Sequence, residues 1–353
     1  MLSSGQRIPH ASIKEQCKEA YFYGKDLVVE NTFMAEETVV GRILGDLAPE
    51  RLSSMSAEAL QKLTLFAYHQ RLRTLGSAEA INAKIDSIAK PMLRTSLKLN
   101  HGVEKSTADL DFMRVRLKRA QDLSLRNADV MALMLEGLRA KFLTTHRTPG
   151  FAISDHPVVL QNQYAEHHRD FQHCLGITGL AAKGLQMFFP LSPSVTLAVF
   201  DPGVYEYGGS SLVCRAGPAD VAWLNQMQAV NALKCMYFDP ARMPDPTLDE
   251  LIRVRQQHGP VHSRNKRLES DIHQQASGTW NQIVAVTDGD VRLGAKLSLI
   301  RLLDERRYPG FDRPHAPVRS QELLDLVNRR TQEAEERRKG DAKAAETEVV
   351  FTR

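Results

Sequence analysis

Phe151-Ala-Ile-Ser-Asp-His-Pro-Val-Val-Leu160, with Asn162 just beyond it, is the stretch on which the fold turns. Phe151–Ile153 has the short apolar character of a strand. Ser154 and Asp155 offer side-chain oxygens to their own turn, and Pro157 fixes the backbone while giving no N–H to a ladder. Val158-Val-Leu160 then resumes the strand. Two strands joined by a polar turn inside apolar sequence predict a sheet here.

Reading outward toward the C-terminus extends that sheet. Phe142-Leu-Thr-Thr, Met187-Phe-Phe and Val195-Thr-Leu-Ala-Val-Phe200 are short, rich in β-branched or aromatic residues and punctuated by Gly and Pro. Two of these strands end in similar turns, Ser192-Pro193 and Asp201-Pro202. Between the strands lies a His-rich loop, Glu166-His-His-Arg-Asp-Phe-Gln-His173. Pro218 is a good first-turn residue, and the pattern behind it predicts a helix to about Tyr237. Further strands are expected at Gln282–Thr287 and Lys296–Leu302. One more helix follows Arg319 and is expected to dissolve into Glu333-Ala-Glu-Glu-Arg-Arg-Lys339 and a polar tail.

Reading outward toward the N-terminus, the texture is helical. Val29, Phe33, Val40, Ile43, Leu44 and Leu47 recur at helical spacing. Ser56 is placed to cap a helix carrying Leu60, Leu63, Phe66 and Ala67. Ser77 is expected to open another, with Ile81, Ile85 and Ile88 on one face and Pro91 as its stop. Asn127 is expected to cap one through Met131, Met134, Leu135 and Leu138. The fold class is therefore α+β: a helical region over 1–140, a sheet-containing region over 141–318 and a charged helix and tail over 319–353. The helical half is expected to pack on a central, mostly antiparallel sheet, with 1–318 forming one domain.

Composition bounds the function. The chain has 353 residues, 42% apolar and 25% charged, an ordinary globular balance with room for a full core. A net charge of +4 is too small to imply nucleic acid without local clustering. Cys17, Cys174, Cys214 and Cys235 form no C-x-x-C pair, so a zinc knuckle or thioredoxin-type site is not expected. Buried thiols in a reducing compartment fit better. Met1-Leu-Ser-Ser-Gly-Gln-Arg has no apolar leader core, and no run approaches the ~18 residues of a membrane span. A cytoplasmic location and no membrane partner are expected.

Four motifs in order resemble a bacterial family, the domain of unknown function 4238. They are Tyr21-Phe22-Tyr23-Gly24 before the acidic Glu30 and Glu37, then Ser154-Asp155-His156-Pro157-Val158, then Phe189-Pro190-Leu191-Ser192-Pro193, then Asn225-Gln-Met-Gln228. The likeness runs over about residues 12 to 305. His156 stands where that family usually has Asn. The family's opening His-Tyr-Val-Pro-type strand has no counterpart here, which puts in doubt any function that needs its His. The resemblance implies an α+β fold and a bacterial origin, and it supplies no reaction.

Several residues are candidates for a site. Asp155 either accepts backbone N–H groups across its own turn or converges with Asn162 on a ligand or cation at the edge of the sheet. In the helix from Pro218, Asn225 and Gln228 interrupt an apolar stripe of Val221, Leu224, Ala232 and Cys235, and buried amides need partners. They either lock the helix to the Ser154-Asp155 turn or line one polar pocket with it. The ligand-binding set is thus Ser154, Asp155, Asn162, Asn225 and Gln228. His167, His168 and His173 are weak metal candidates, because adjacent histidines diverge and a five-residue separation misses the usual helical spacing. His262–Arg267 and Arg306–Arg307, with Tyr308 and Phe311, could touch nucleic acid but read better as solvated surface. Asp288-Gly-Asp290 reads as a hairpin turn rather than an acidic metal site. No phosphate loop, nucleophile elbow or dinucleotide fingerprint occurs. The sequence leaves the cofactor unknown. The expectation is a binding or interaction protein with a polar pocket between Asp155 and Asn225. The alternative is a hydrolase or nuclease-type enzyme, in phage defence or a toxin-like role, with Asp155 as its acidic group.

Overall fold

Ser56 does what its position suggests: its hydroxyl accepts the Ala59 N–H at 3.2 Å and opens a helix. In the computed structural model of the chain, the residues described are 5–8, 28–45, 47–101, 107–167, 174, 176–259, 266–269, 273–274, 280–281, 284–287, 293, 297–303, 316–341 and 349–352. The first elements are helices α1 (Val28–Leu44), α2 (Pro49–Ser53), α3 (Ala57–Leu72), α4 (Leu75–His101) and α5 (Thr107–Phe112). Pro91 does not stop α4 but lies inside it. The turn before it is fastened: Asp86 accepts the Val115 N–H from outside the helix at 2.8 Å and pairs with Lys90 of the same helix at 2.8 Å. Those contacts offset the hydrogen bond that proline cannot make.

Next come β1 (Arg114–Leu117), α6 (Ala120–Leu125) and α7 (Ala128–Ala132). Asn127 occupies the N-cap position of α7 without a side-chain cap bond, and the helix is only five residues long. A 3-10 turn over Leu133–Leu135 and Gly137 at φ +77° end the helical run expected to reach Leu138. Only glycine enters that left-handed region cheaply, so the chain turns there into the sheet.

The sheet follows. Its strands and their neighbours are β2 (Arg139–Thr144), β3 (Ile153–Ser154), β4 (Val159–Gln161), β5 (Gln186–Ser192), β6 (Val195–Phe200), β7 (Tyr205–Tyr207), β8 (Val213–Arg215) and β9 (Met236–Tyr237). Helix α8 (Gln163–His167) leaves β4, and α9 (Pro218–Asn231) and α10 (Asp245–His258) flank β9. The five-stranded order is β4-β5-β6-β2-β8. Its joins are antiparallel except β2 with β8, which is parallel, so the sheet is mixed and mostly antiparallel.

Strand alternation divides the core in two. Phe142, Met187, Phe189, Leu197 and Val199 pack with Val40, Leu63, Phe66 and Ala67 of the N-terminal helices. Leu143, Val159, Phe188, Ala198 and Phe200 face the other way, toward Val221, Trp223, Leu224 and Met227 of α9. Trp223 meets Phe188 edge-on at 5.9 Å between ring centres. Each face is buried against helices, which is why the strands read as continuous apolar runs.

Smaller pairs complete the chain: β10 (Lys266–Glu269) with β13 (Val284–Thr287), β11 (His273–Gln274) with β12 (Trp280–Asn281), β14 (Ile300–Leu302) with β7, and β15 (Val349–Thr352) with β1. Helix α11 (Gln321–Asp341) does not dissolve at Glu333 but continues through the charged run. Arg330 and Glu333 pair three residues apart within it, and Arg338 bonds Asn127 at 3.0 Å, tying its far end to the helical half. Tyr21–Gly24 and Asp288–Asp290 lie outside the described residues.

Candidate functional site

The segment 150–158 crosses α9 at three amide side chains spaced one helical turn apart. Asn225 Oδ1 accepts the Ala152 N–H at 2.8 Å, and its Nδ2 donates to the Gly150 carbonyl at 2.8 Å. Gln228 Oε1 accepts from Ser154 N at 3.1 Å and from Ser154 Oγ at 2.8 Å, while its Nε2 donates to the Pro157 carbonyl at 2.7 Å. Asn231 Nδ2 donates to the His156 carbonyl and, at 3.3 Å, to that of Val158. All three side chains are buried. The amides stand in for the ladder partners that this irregular segment lacks.

Asp155 fastens the far end of the same helix. Its Oδ1 accepts the Leu233 N–H at 2.7 Å, and its Oδ2 accepts those of Lys234 at 2.7 Å and Cys235 at 3.0 Å. From the other side, the buried Arg255 guanidinium donates to the carbonyls of Ala229, Val230, Ala232 and Leu233 at 2.6–3.3 Å. A cation at the helix C-terminus also suits the macrodipole. Between them, these two charges end α9 at Asn231 rather than near Tyr237. Both carboxylate oxygens are thus committed to backbone N–H groups, and the carbonyls at the helix end to the Arg255 guanidinium.

His156 lies on the outer side of this lock. Arg71 Nη1 approaches His156 Nε2 at 3.2 Å, and Thr74 Oγ1 lies 2.5 Å from Nδ1. A guanidinium only donates, so Nε2 is the acceptor and the proton sits on Nδ1 in this arrangement. Arg71 also donates to the Val158 carbonyl at 2.8 Å, which ties α3 to the turn.

Asn162 belongs to a different cluster. It is fully buried, donating from Nδ2 to the carbonyls of Ile177 at 2.6 Å and Lys183 at 2.8 Å, and accepting the Ala165 N–H at 2.9 Å. Ser154, Asp155, Asn225 and Gln228 therefore meet in one network, and Asn162 stands a strand's length away, at the far end of β4.

That far end is unusually polar. Gln161 Nε2 donates to Glu166 Oε1 at 2.5 Å. Gln186 Oε1 accepts the Gln163 N–H at 3.2 Å, and its Nε2 donates to the Tyr207 hydroxyl at 2.5 Å. The Tyr205 hydroxyl donates to the Gly184 carbonyl at 2.8 Å and accepts the Tyr164 N–H at 2.7 Å. Burial pushes the pKa of both Tyr205 and Tyr207 up, so both hydroxyls keep their protons. Gly184, at φ +79°, lets the backbone in close: a Cβ there would lie 2.7 Å from Asn162 Oδ1.

Within this cluster the side chain of Gln163 stands out. Its side chain is fully buried, and neither Oε1 nor Nε2 has a hydrogen-bond partner. Gln163, Gln186, Tyr205, Tyr207, Asn231 and Arg255 were not singled out in the sequence. The run Gln161-Asn-Gln163 directly after an apolar strand was the available signal.

His167 lies in α8, and His168 and His173 fall outside the described residues. Among the described residues no group of three or more His, Cys, Asp or Glu is set to hold a metal ion. Lys266 and Arg267 lie in β10, whereas 262–265, 306–308 and 311 are outside. No described helix is long and apolar enough to cross a membrane.

The architecture is that of an α+β protein in which a Ser-Asp-x-Pro-Val turn is bolted to a helix by buried amides. A family model described as Protein of unknown function (DUF4238) matches residues 2–242, more than half of the chain, which therefore belongs to that family. The match takes in both the turn–helix lock and the polar end of β4. No curated protein and no solved structure matches the chain.

Proposed function

We propose that the protein is a binding protein whose ligand site lies at the polar end of β4, around Gln163. The single observation behind this is the buried Gln163 amide with neither end partnered. Leaving a buried polar group unsatisfied costs about 1–3 kcal/mol, and a ligand that pairs with both ends of this amide removes that cost. The residues named from the sequence serve this site in two ways. Ser154, Asp155, Asn225 and Gln228 hold the segment that feeds β4, so they set where the strand ends. Asn162, one residue before Gln163, fixes the start of α8 through the Ala165 N–H.

A hydrolase or nuclease with Asp155 as its acidic group gains nothing from this geometry, because three backbone N–H groups already occupy both oxygens. A cytoplasmic, bacterial setting accompanies the proposal; Cys174, Cys214 and Cys235 are thiols, which suits a reducing compartment.

Native mass spectrometry of the full chain tests the proposal, comparing the purified protein with Gln163→Leu. A small molecule travelling with the former and lost from the latter is the expected result. A bare polypeptide in both, with Gln163→Leu the more stable, would show that Gln163 is an isolated packing defect.

A further inference from the structure

The chemistry around Gln163 also limits what can bind there. Resting on the binding role proposed above, we infer that the ligand is a small neutral molecule with an amide-type edge, an N–H donor beside a carbonyl acceptor, which pairs with the Gln163 carboxamide.

The first ground is the shape of the vacant hydrogen-bonding group. A glutamine amide presents an acceptor and a donor side by side, the pattern that makes Asn and Gln bidentate partners of planar groups carrying the complementary pair. Since both Oε1 and Nε2 of Gln163 are without partners, a ligand offering only one function would leave the other unsatisfied.

The second ground is charge. The neighbouring polar side chains Gln161, Asn162, Gln186, Tyr205 and Tyr207 are neutral, and burial keeps both tyrosine hydroxyls protonated. Among the described residues, the charged side chains close to the site are already engaged. Glu166 accepts from Gln161, and Asp201 accepts the N–H groups of Gly184 at 3.0 Å and Gly203 at 2.9 Å. Lys183 Nζ lies over the Tyr164 ring, 5.8 Å from its centre. An anion or metal ion entering here would lose its hydration to amide and hydroxyl dipoles alone, which do not repay that loss. A neutral amide exchanges its water bonds for equivalent ones.

The third ground is space. One wall of this cluster is tight: at Gly184 even a Cβ would lie 2.7 Å from Asn162 Oδ1 and 2.9 Å from Tyr164 Cβ. The ligand, or the part of it that enters, is therefore small.

Saturation-transfer NMR on the full chain tests this with three probes: 2-pyrrolidinone, a lactam with the complete edge; cyclopentanone, with the acceptor only; and acetate, an anion. The lactam is expected to receive saturation from the wild-type protein, with the ketone and acetate silent. Gln163→Leu should weaken lactam binding by about tenfold or more, as loss of a bidentate contact requires. Gln163→Glu, which keeps the shape but removes the donor, should do the same and covers the case in which the leucine variant folds poorly. Equal binding of cyclopentanone or acetate would overturn the amide class while leaving a binding site at Gln163. Silence from every probe would also overturn it. If the purified chain in that case carries no small molecule, the binding role itself falls.

Discussion

Gly76→Ala is a substitution whose sign the structure decides. Gly76 is the second residue of α4 and has no left-handed backbone requirement. On local grounds alone, an alanine there should stabilise by about 0.4–1 kcal/mol, through a stiffer unfolded chain and better helix propensity. The tertiary structure reverses this. A Cβ at residue 76 would sit 2.8 Å from His156 Cγ and 3.0 Å from His156 Cβ. His156 cannot give way easily, because it is only 6% exposed and its ring is held between Thr74 and Arg71. Overpacking of this kind costs about 1–3 kcal/mol, so the net effect should be a loss of about 1–2 kcal/mol. The cause can be isolated with a second change at the partner. His156→Asn shortens the side chain and should by itself cost about 1–3 kcal/mol through the bonds lost to Arg71 and Thr74. In that background Gly76→Ala should be nearly neutral or stabilising. Urea unfolding of the wild type, both single variants and the double variant, followed by circular dichroism, gives the coupling directly. A coupling of about 1 kcal/mol or more is expected. Additivity within about 0.5 kcal/mol, or a stabilised Gly76→Ala single variant, would refute the contact as the cause.

Three further outcomes follow from the same geometry. Asp155→Asn keeps one acceptor for three N–H groups and should lower stability by about 2–3 kcal/mol; an unchanged melting temperature would mean that the end of α9 is held by other means. Arg255→Lys cannot fork across four carbonyls and should cost about 3 kcal/mol, with faster amide exchange in the last turn of α9 as its signature and unchanged exchange there as its refutation. Tyr205 and Tyr207 have their pKa values raised by burial, so the folded state holds their protons more tightly than the unfolded one. Their contribution is complete below the ordinary tyrosine pKa of about 10 and is lost as pH rises above it, by about 1.4 kcal/mol per pH unit for each. Alkaline unfolding should thus begin above about pH 10, with the tyrosinate absorbance of these two residues, taken as the difference from a Tyr205→Phe/Tyr207→Phe variant, rising together with loss of helix signal; their ionisation in a still-folded chain would contradict the burial.

Much of the fold was legible because its cues are local. The Ser56 cap, the glycine and proline turns around β5 and β6, and the Asn225/Gln228 interruption of an apolar stripe each depend on residues a few positions apart. The family likeness rested on the same kind of feature, short motifs in a fixed order, and the match over residues 2–242 bears it out. Where the local cue was outvoted by distant contacts, the sequence misled. Pro91 reads as a stop and is carried through, because Lys90 just before it pairs with Asp86 one turn back and β1 docks on Asp86. Glu333–Lys339 reads as a frayed tail, yet the helix continues, with Arg338 reaching back to Asn127.

The sequence by itself determined that this is an α+β chain, where strands β2 to β6 fall, and that the Ser154-Asp155 turn and the Asn225/Gln228 helix need partners. Only the tertiary structure decided what those partners are. Asp155 bonds N–H groups 78 to 80 residues away, Asn225 the backbone 73 to 75 residues before it, and β2 gains a parallel neighbour in β8. Asn162 and Gln163 separate for the same reason. Both are buried amides in one short run, but the chain around 177–184 supplies carbonyls to the first and nothing to the second. A side chain's need for a hydrogen bond is a local property, written in its chemistry. Whether that need is met depends on which distant backbone the fold brings within 3 Å of it, and neither propensity nor pattern encodes that distance.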